Sequence, residues 1–186
     1  MAIDIKVLKG LLIEPHKYLT VAEKENIETT IVVMCLNWIL ITIGTSIFLE
    51  NFAYSPLILV MGIITQLVFS FFLNLALILV GGKGSFKNVL DSLTYPYFGF
   101  SFTFFLLSII KRTASLFIPI IGIVVFPLYL TIGIVGSIRM LKDTFKTEIL
   151  TVWVIGSLTI TTLVLSIYLI AALSYPSFLK SLFSLF

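Results

Sequence analysis

The stretch GGKGSF, residues 81–86, places three glycines, a lysine and a serine side by side. Such a set can cradle phosphate, because glycine lets backbone N–H groups approach an anion and lysine supplies a charge. The spacing argues against it. A Walker loop closes on Gly-Lys-Ser/Thr between a soluble strand and a helix, whereas Lys83 is followed by Gly84 and preceded by a long apolar run. A dinucleotide fingerprint fails for the same reason. The simpler expectation is that Gly81 and Gly82 end a helix in a left-handed cap, with Lys83 and Lys87 at lipid headgroup level.

Other chemistry-bearing residues are sparse. His16 is the single histidine, beside Lys17 in a polar arm and without a histidine partner for a metal. Cys35 is the single cysteine, so neither an internal disulfide nor a thiolate cluster can form. No acidic or basic residue falls in the central part of an apolar block. Proton-coupled carriers usually need such a group, and intramembrane hydrolases need a nucleophile with its base. The reading is therefore a non-enzyme with no cofactor.

Uncharged polar residues do recur within the apolar blocks. Gln66, Ser70 and Asn74 repeat every four residues and fall within an arc of about 80° on one helix face, with Gly62 extending the stripe. Asn37 and Gly44, like Ser101 and Ser108, are seven apart. Amides and small side chains favour close helix–helix contact, so this stripe is read as facing another helix. A polar groove for a solute or lipid headgroup is the functional alternative.

The elements that must position these residues follow from composition. The chain has 186 residues, of which 59% are hydrophobic and only 11% charged, with a mean hydropathy of +1.16. A soluble domain carries about 25% charged residues. The apolar residues lie in five blocks, 30–49, 57–80, 95–110, 116–138 and 149–173. Four are long enough to cross a hydrocarbon core of about 30 Å, and the third, at roughly 24 Å, is marginal. The expected fold is an all-α integral membrane protein with five transmembrane helices in a single bundle. The positive charge flanks the blocks, which makes nucleic acid a poor partner and the lipid bilayer the evident one.

The flanks add detail. Residues 1–28 carry nine charged side chains and no apolar core of signal-peptide type. Ile5, Leu8 and Leu12 share a helical face, predicting an interfacial amphipathic helix broken at Pro15 and a polar helix to about residue 27. In SFKNVLDSL, Phe86, Val89, Leu90 and Leu93 recur at helical spacing, predicting an interfacial helix over 86–94 that Ser85 caps and that bends near Pro96. Pro119 and Pro127, with Gly122, Gly133 and Gly136, predict a kinked, closely packed fourth span. The domain reading is a cytosolic or interfacial arm over 1–28, a membrane domain over 29–173 and a short tail over 174–186.

The order of these pieces resembles a known family. LLIEPHKYL precedes the first span, GGKGSFKNVLDSLTYPYFGF follows the second, and RTASLFIPIIGIVV leads on to RMLKDTFKTE before the fifth. This is similar to the Yip family of Ypt/Rab-interacting five-span membrane proteins, in particular its small prokaryotic-type members. The likeness covers most of residues 8–173 and is most specific at Gly81, Gly82, Lys83, Gly84, Ser85 and Phe86, followed by Tyr95 and Pro96. It implies a helical bundle with a cytosolic N-terminus, in the cell membrane of a prokaryote or in ER and Golgi membranes of a eukaryote. In eukaryotic members it also implies vesicle trafficking with small GTPases. The Asp-Leu-Tyr-Gly-Pro segment of those members is missing ahead of the first span here, so that role does not carry over. The expected function is a membrane scaffold or organiser with protein partners in the membrane or at its cytosolic face, a second copy of the chain among them. A passive transporter or channel for a small solute or lipid is the alternative.

Overall fold

The computed structural model describes residues 5–22, 25–113 and 118–174. Almost all of the expected tail over 174–186 therefore lies outside the described residues, as do the side chains of His16 and Pro119. The helices are α1 (Ile5–Ile13), α2 (Pro15–Ala22), α3 (Ile27–Leu49), α4 (Ser55–Leu79), α5 (Phe86–Thr94), α6 (Phe98–Thr113), α7 (Ile118–Phe145) and α8 (Ile149–Ser174). Among the described residues there is no strand. Among the described residues, five stretches are long and apolar enough to cross a membrane: Ile27–Leu49, Ser55–Leu79, Phe86–Ile110, Val124–Phe145 and Ile149–Ser166. The protein is an all-α, multi-pass membrane bundle.

Local chemistry sets the ends. Asn26 caps α3, its side-chain oxygen accepting the Thr29 N–H at 2.9 Å. A proline opens α4 and another opens α2, where a missing N–H costs nothing. α4 stops in a Schellman turn: Gly81, at φ +90°, donates to the Ile78 carbonyl and Gly82 to that of Leu77. The expected glycine cap is therefore present. α3 and α7 end similarly on residues without glycine's freedom, Glu50 and Lys146, both at positive φ.

The bundle is turned out in the sense a bilayer demands. Its outer surface is apolar, with Val60, Ile64, Phe71 and Leu75 of α4 and Trp153, Leu158 and Val164 of α8 exposed. Its interior holds small polar side chains, including Thr30, Asn37, Ser70, Ser101, Ser108 and Ser137. Most of these hydroxyls donate to the carbonyl four residues earlier, as Ser101 does to Tyr97 and Ser108 to Phe104. A hydroxyl satisfied within its own helix is tolerated in hydrocarbon while its small volume allows close packing.

The marginal third block is resolved by addition. α5 joins α6 to form a span of 25 residues, and α6 runs parallel to α3, so that Thr94 lies beside Asn37 and Phe104 beside Gly44. This corrects the expectation of an interfacial helix over 86–94. α5 packs against α3, α4 and α7, and Val89, Leu90, Asp91 and Ser92 are buried. A helix lying in the interface would leave a polar face to water. Here that face meets α3, and the amphipathic spacing reflects a polar interior.

The arm docks on the bundle. α1 and α2 form a hairpin in which Gly10 fits under the Tyr18 ring, 2.3 Å from where a Cβ would stand. Val7, Leu11 and Leu19 join the core with Val33, Tyr95, Phe98 and Met140. In α7, Gly133 and Gly136 receive Tyr97 and Pro96, which accounts for two of the glycines expected to permit close packing.

Candidate functional site

The polar residues converge where the third span breaks. α5 ends before Pro96, and the Phe98 N–H, four residues beyond Thr94, turns to the Tyr95 carbonyl at 3.2 Å, so the last carbonyls of α5 are left for other segments. In the interior of a membrane protein those groups must be satisfied by other segments. Asn37 of α3 donates from Nδ2 to the Thr94 carbonyl at 2.8 Å. Gln66 of α4 donates from Nε2 to the Leu93 carbonyl at 3.0 Å and to the Thr94 hydroxyl at 3.1 Å. The Trp38 indole N–H in turn donates to Gln66 Oε1 at 2.7 Å, and Trp38 reaches it because Gly62 leaves room, its missing Cβ lying 2.2 Å from the ring. Three spans are thereby tied to one break.

One turn towards the start of α5 lies an ionisable cluster. The helix begins with the Ser85 N–H donating to Asn88 Oδ1 at 3.0 Å, which sets the register of the residues that follow. Lys87 and Asp91 are four apart on one face, and Lys87 Nζ donates to Asp91 Oδ2 at 2.5 Å. The Thr30 hydroxyl of α3 donates to the other carboxylate oxygen at 2.6 Å and lies 3.4 Å from the Tyr95 hydroxyl. The Asp91 side chain is 1% exposed and that of Lys87 28%. The cluster holds a charge inside the bundle, with an ammonium and a hydroxyl balancing it. Thr30, Asp91 and Tyr95 are all buried, so a substrate would reach the carboxylate only if helices parted.

The rest of the expected stripe does different work. Ser70 is buried and donates to the Gln66 carbonyl of its own helix at 2.7 Å. Asn74 is buried, and its side-chain oxygen has no protein partner; the same holds for Asn37 Oδ1. Two crevices of about 310 Å³ each flank Leu93 and Tyr97. One lies between α3, α4 and α6, beside Asn37, Trp38, Gln66 and Phe100; the other lies between α4, α7 and α8.

Four of the six backbone N–H groups of residues 81–86 are already engaged within the protein. The N–H groups of Gly81 and Gly82 close the α4 turn, that of Lys83 goes to the Phe145 carbonyl at 3.3 Å, and that of Ser85 goes to Asn88. Gly82 and Gly84 are needed because the buried Phe145 ring lies on the loop, 2.7 Å and 2.4 Å from where their Cβ atoms would stand. Phe86 begins α5, while Tyr95 and Pro96 are buried at the break.

The sequence reading missed Asp91, Lys87 and Thr30 as a unit, because the short third block excludes residues 86–94. The signal present was the Lys-x-x-x-Asp spacing beside a block too short to cross. Fold and site together define a five-span helical membrane protein with a polar, broken third span. No family model, curated protein or solved structure matches the chain.

Proposed function

We propose that the chain is a non-enzymatic membrane scaffold of the Yip type, which binds protein partners through the bilayer-embedded bundle and its docked N-terminal hairpin. The observation that supports this reading is how the intramembrane polar groups are used. Asn37, Gln66, Trp38 and Thr94 bond one another and the backbone of the break, and the crevices beside them are bordered mainly by apolar side chains. A carrier or channel needs polar groups turned toward a continuous path. A scaffold needs a rigid bundle, and a break tied by amides from two other helices supplies one.

The charge distribution supports an N-terminus in the cytosol. With that orientation Lys6, Lys9, Lys17, Lys24, Lys83, Lys87, Arg139, Lys142 and Lys146 face inward, against Lys111, Arg112 and Lys180 outward. On this reading the membrane is the cell membrane in a prokaryote, or an ER or Golgi membrane in a eukaryote.

Cross-linking mass spectrometry in native membranes, paired with solute flux into liposomes of purified protein, tests the proposal. The expected result is reproducible protein cross-links from the hairpin and no flux above empty liposomes. Protein-dependent flux without protein cross-links would replace the scaffold with the transporter reading.

A further inference from the structure

The crevice between α4, α7 and α8 is bordered by Phe69, Leu73, Ile134, Ile138, Val152 and Ile160. At its wall Gly156 meets nothing: a Cβ built there would have no heavy atom within 4 Å. The neighbouring outward residues of α8, Val154 and Leu158, are exposed and apolar, so the medium outside the opening is hydrocarbon. From Val152 to Ile160 the crevice follows α8 for about 12 Å. An opening of that length and lining, immersed in lipid, takes the occupant the medium supplies, a flexible hydrocarbon tail.

The end of the crevice nearest the α7–α8 turn says which lipid. Trp153, 54% exposed, stands at this end, one turn into α8, where an amphipathic ring marks the membrane interface. Just beyond it lie Lys142 and Lys146, with Lys83 held beside Phe145 by its backbone bond. Asp143 and Glu148 oppose them, and Lys142 lies 3.8 Å from Asp143. Three ammonium groups against two carboxylates leave a positive excess at headgroup level, which favours an anionic lipid over a zwitterionic one.

We propose that this crevice is a binding site for an anionic phospholipid of the leaflet on the α7–α8 side, with one acyl chain along Gly156 and the headgroup at Lys83 and Lys146. The site is independent of the scaffold reading and of which leaflet is cytosolic.

The test uses the full chain reconstituted in phosphatidylcholine vesicles. These contain a trace of phosphatidylglycerol or phosphatidylcholine carrying a diazirine in the acyl chain, and adducts are mapped by mass spectrometry after illumination. The expected result is that phosphatidylglycerol adducts concentrate on Ile134, Ile138, Trp153 and Ile160. Gly156→Leu, which fills open space, should lower their yield several-fold with helix content unchanged. The double substitution Lys83→Gln and Lys146→Gln should bring the two probes to equal yield. Adducts spread evenly over the outer face of α4, at Phe71 and Leu75, would overturn the site. So would equal labelling by both probes in the wild-type chain, or a Gly156→Leu chain that labels as well as wild type. If Gly156→Leu fails to fold, the wild-type adduct map decides alone.

Discussion

The Asn37 side chain reaches from the first span to the third and donates to the Thr94 carbonyl at 2.8 Å. The bond is a requirement of the fold, because the third span breaks at Pro96 inside the bundle and the Phe98 N–H, which would continue the ladder to Thr94, goes instead to the Tyr95 carbonyl at 3.2 Å.

Asn37→Leu keeps the branched outline of the side chain, with somewhat more volume, and removes the donor. Interhelical bonds of this type contribute about 1 kcal/mol in membranes, so that loss is expected. Gln66→Leu should cost more, about 2 kcal/mol, because two α5 acceptors and the Trp38 indole all lose their partner. Ser70→Ala serves as the control near zero, since Ser70 bonds only its own helix. Reversible unfolding by detergent titration measures all three. Equal values for Gln66→Leu and Ser70→Ala would show that the break needs no cap.

Asp91 and Lys87 should behave as a pair rather than as two sites. Lys87→Met strands a buried carboxylate and is expected to cost about 3 kcal/mol. Asp91→Asn keeps an acceptor for Thr30 and leaves Lys87, the more exposed partner, able to extend toward the headgroups, so about 1 kcal/mol is expected. Combining them should restore part of what Lys87→Met loses. The same unfolding titration reads the cycle, and simple additivity would mean that the ion pair contributes nothing.

How far the fold was legible follows from particular residues. Long apolar blocks and a left-handed glycine are local signals, so the spans and the Gly81 turn could be read directly. The spacing over 86–94 correctly announced a helix and misassigned its environment. An amphipathic helix looks the same whether its polar face meets water or a buried threonine, and nothing local to Asp91 reveals that Thr30, 61 residues earlier, waits opposite. The Gln66–Ser70–Asn74 stripe was legible as a face. That Gln66 serves the Leu93 carbonyl depends on where Pro96 falls in the bundle, which is a tertiary fact. Phe145, which makes Gly82 and Gly84 necessary, is equally remote in sequence.

The glycine loop should respond to side-chain volume and be indifferent to nucleotide. Gly84→Ala places a methyl against the Phe145 ring and is expected to cost about 1–3 kcal/mol through overpacking. Pairing it with Phe145→Ala should cost less than the sum of the two single substitutions. Lys83→Ala, at an exposed position, should be neutral. Equilibrium dialysis at micromolar ATP or GTP should detect no binding in the wild-type chain or in Lys83→Ala. Binding that disappears with that substitution would reverse this account of the loop.

The orientation prediction follows from charge and crossing number together. Charge alone also permits a third block that dips and returns, because Lys111 and Arg112 would then move inward while Arg139, Lys142 and Lys146 moved out. The packing separates the two cases. α6 follows α3 as far as Gly44, against which Phe104 lies, and α3 ends only five residues later at Leu49. A returning segment would leave that contact unmade and would expose unpaired backbone to lipid. With five crossings, the α3–α4 turn and the end of α6 share one side of the membrane, and the α7–α8 turn lies on the other. In a Cys35→Ser background, single cysteines at Ala53, Thr113 and Glu148 report on these three places. An impermeant thiol reagent applied to intact cells is expected to label positions 53 and 113 and spare 148 until the membrane is opened. Labelling at 148 alone would invert the protein, and labelling at 53 and 148 without 113 would mean that the third span does not cross.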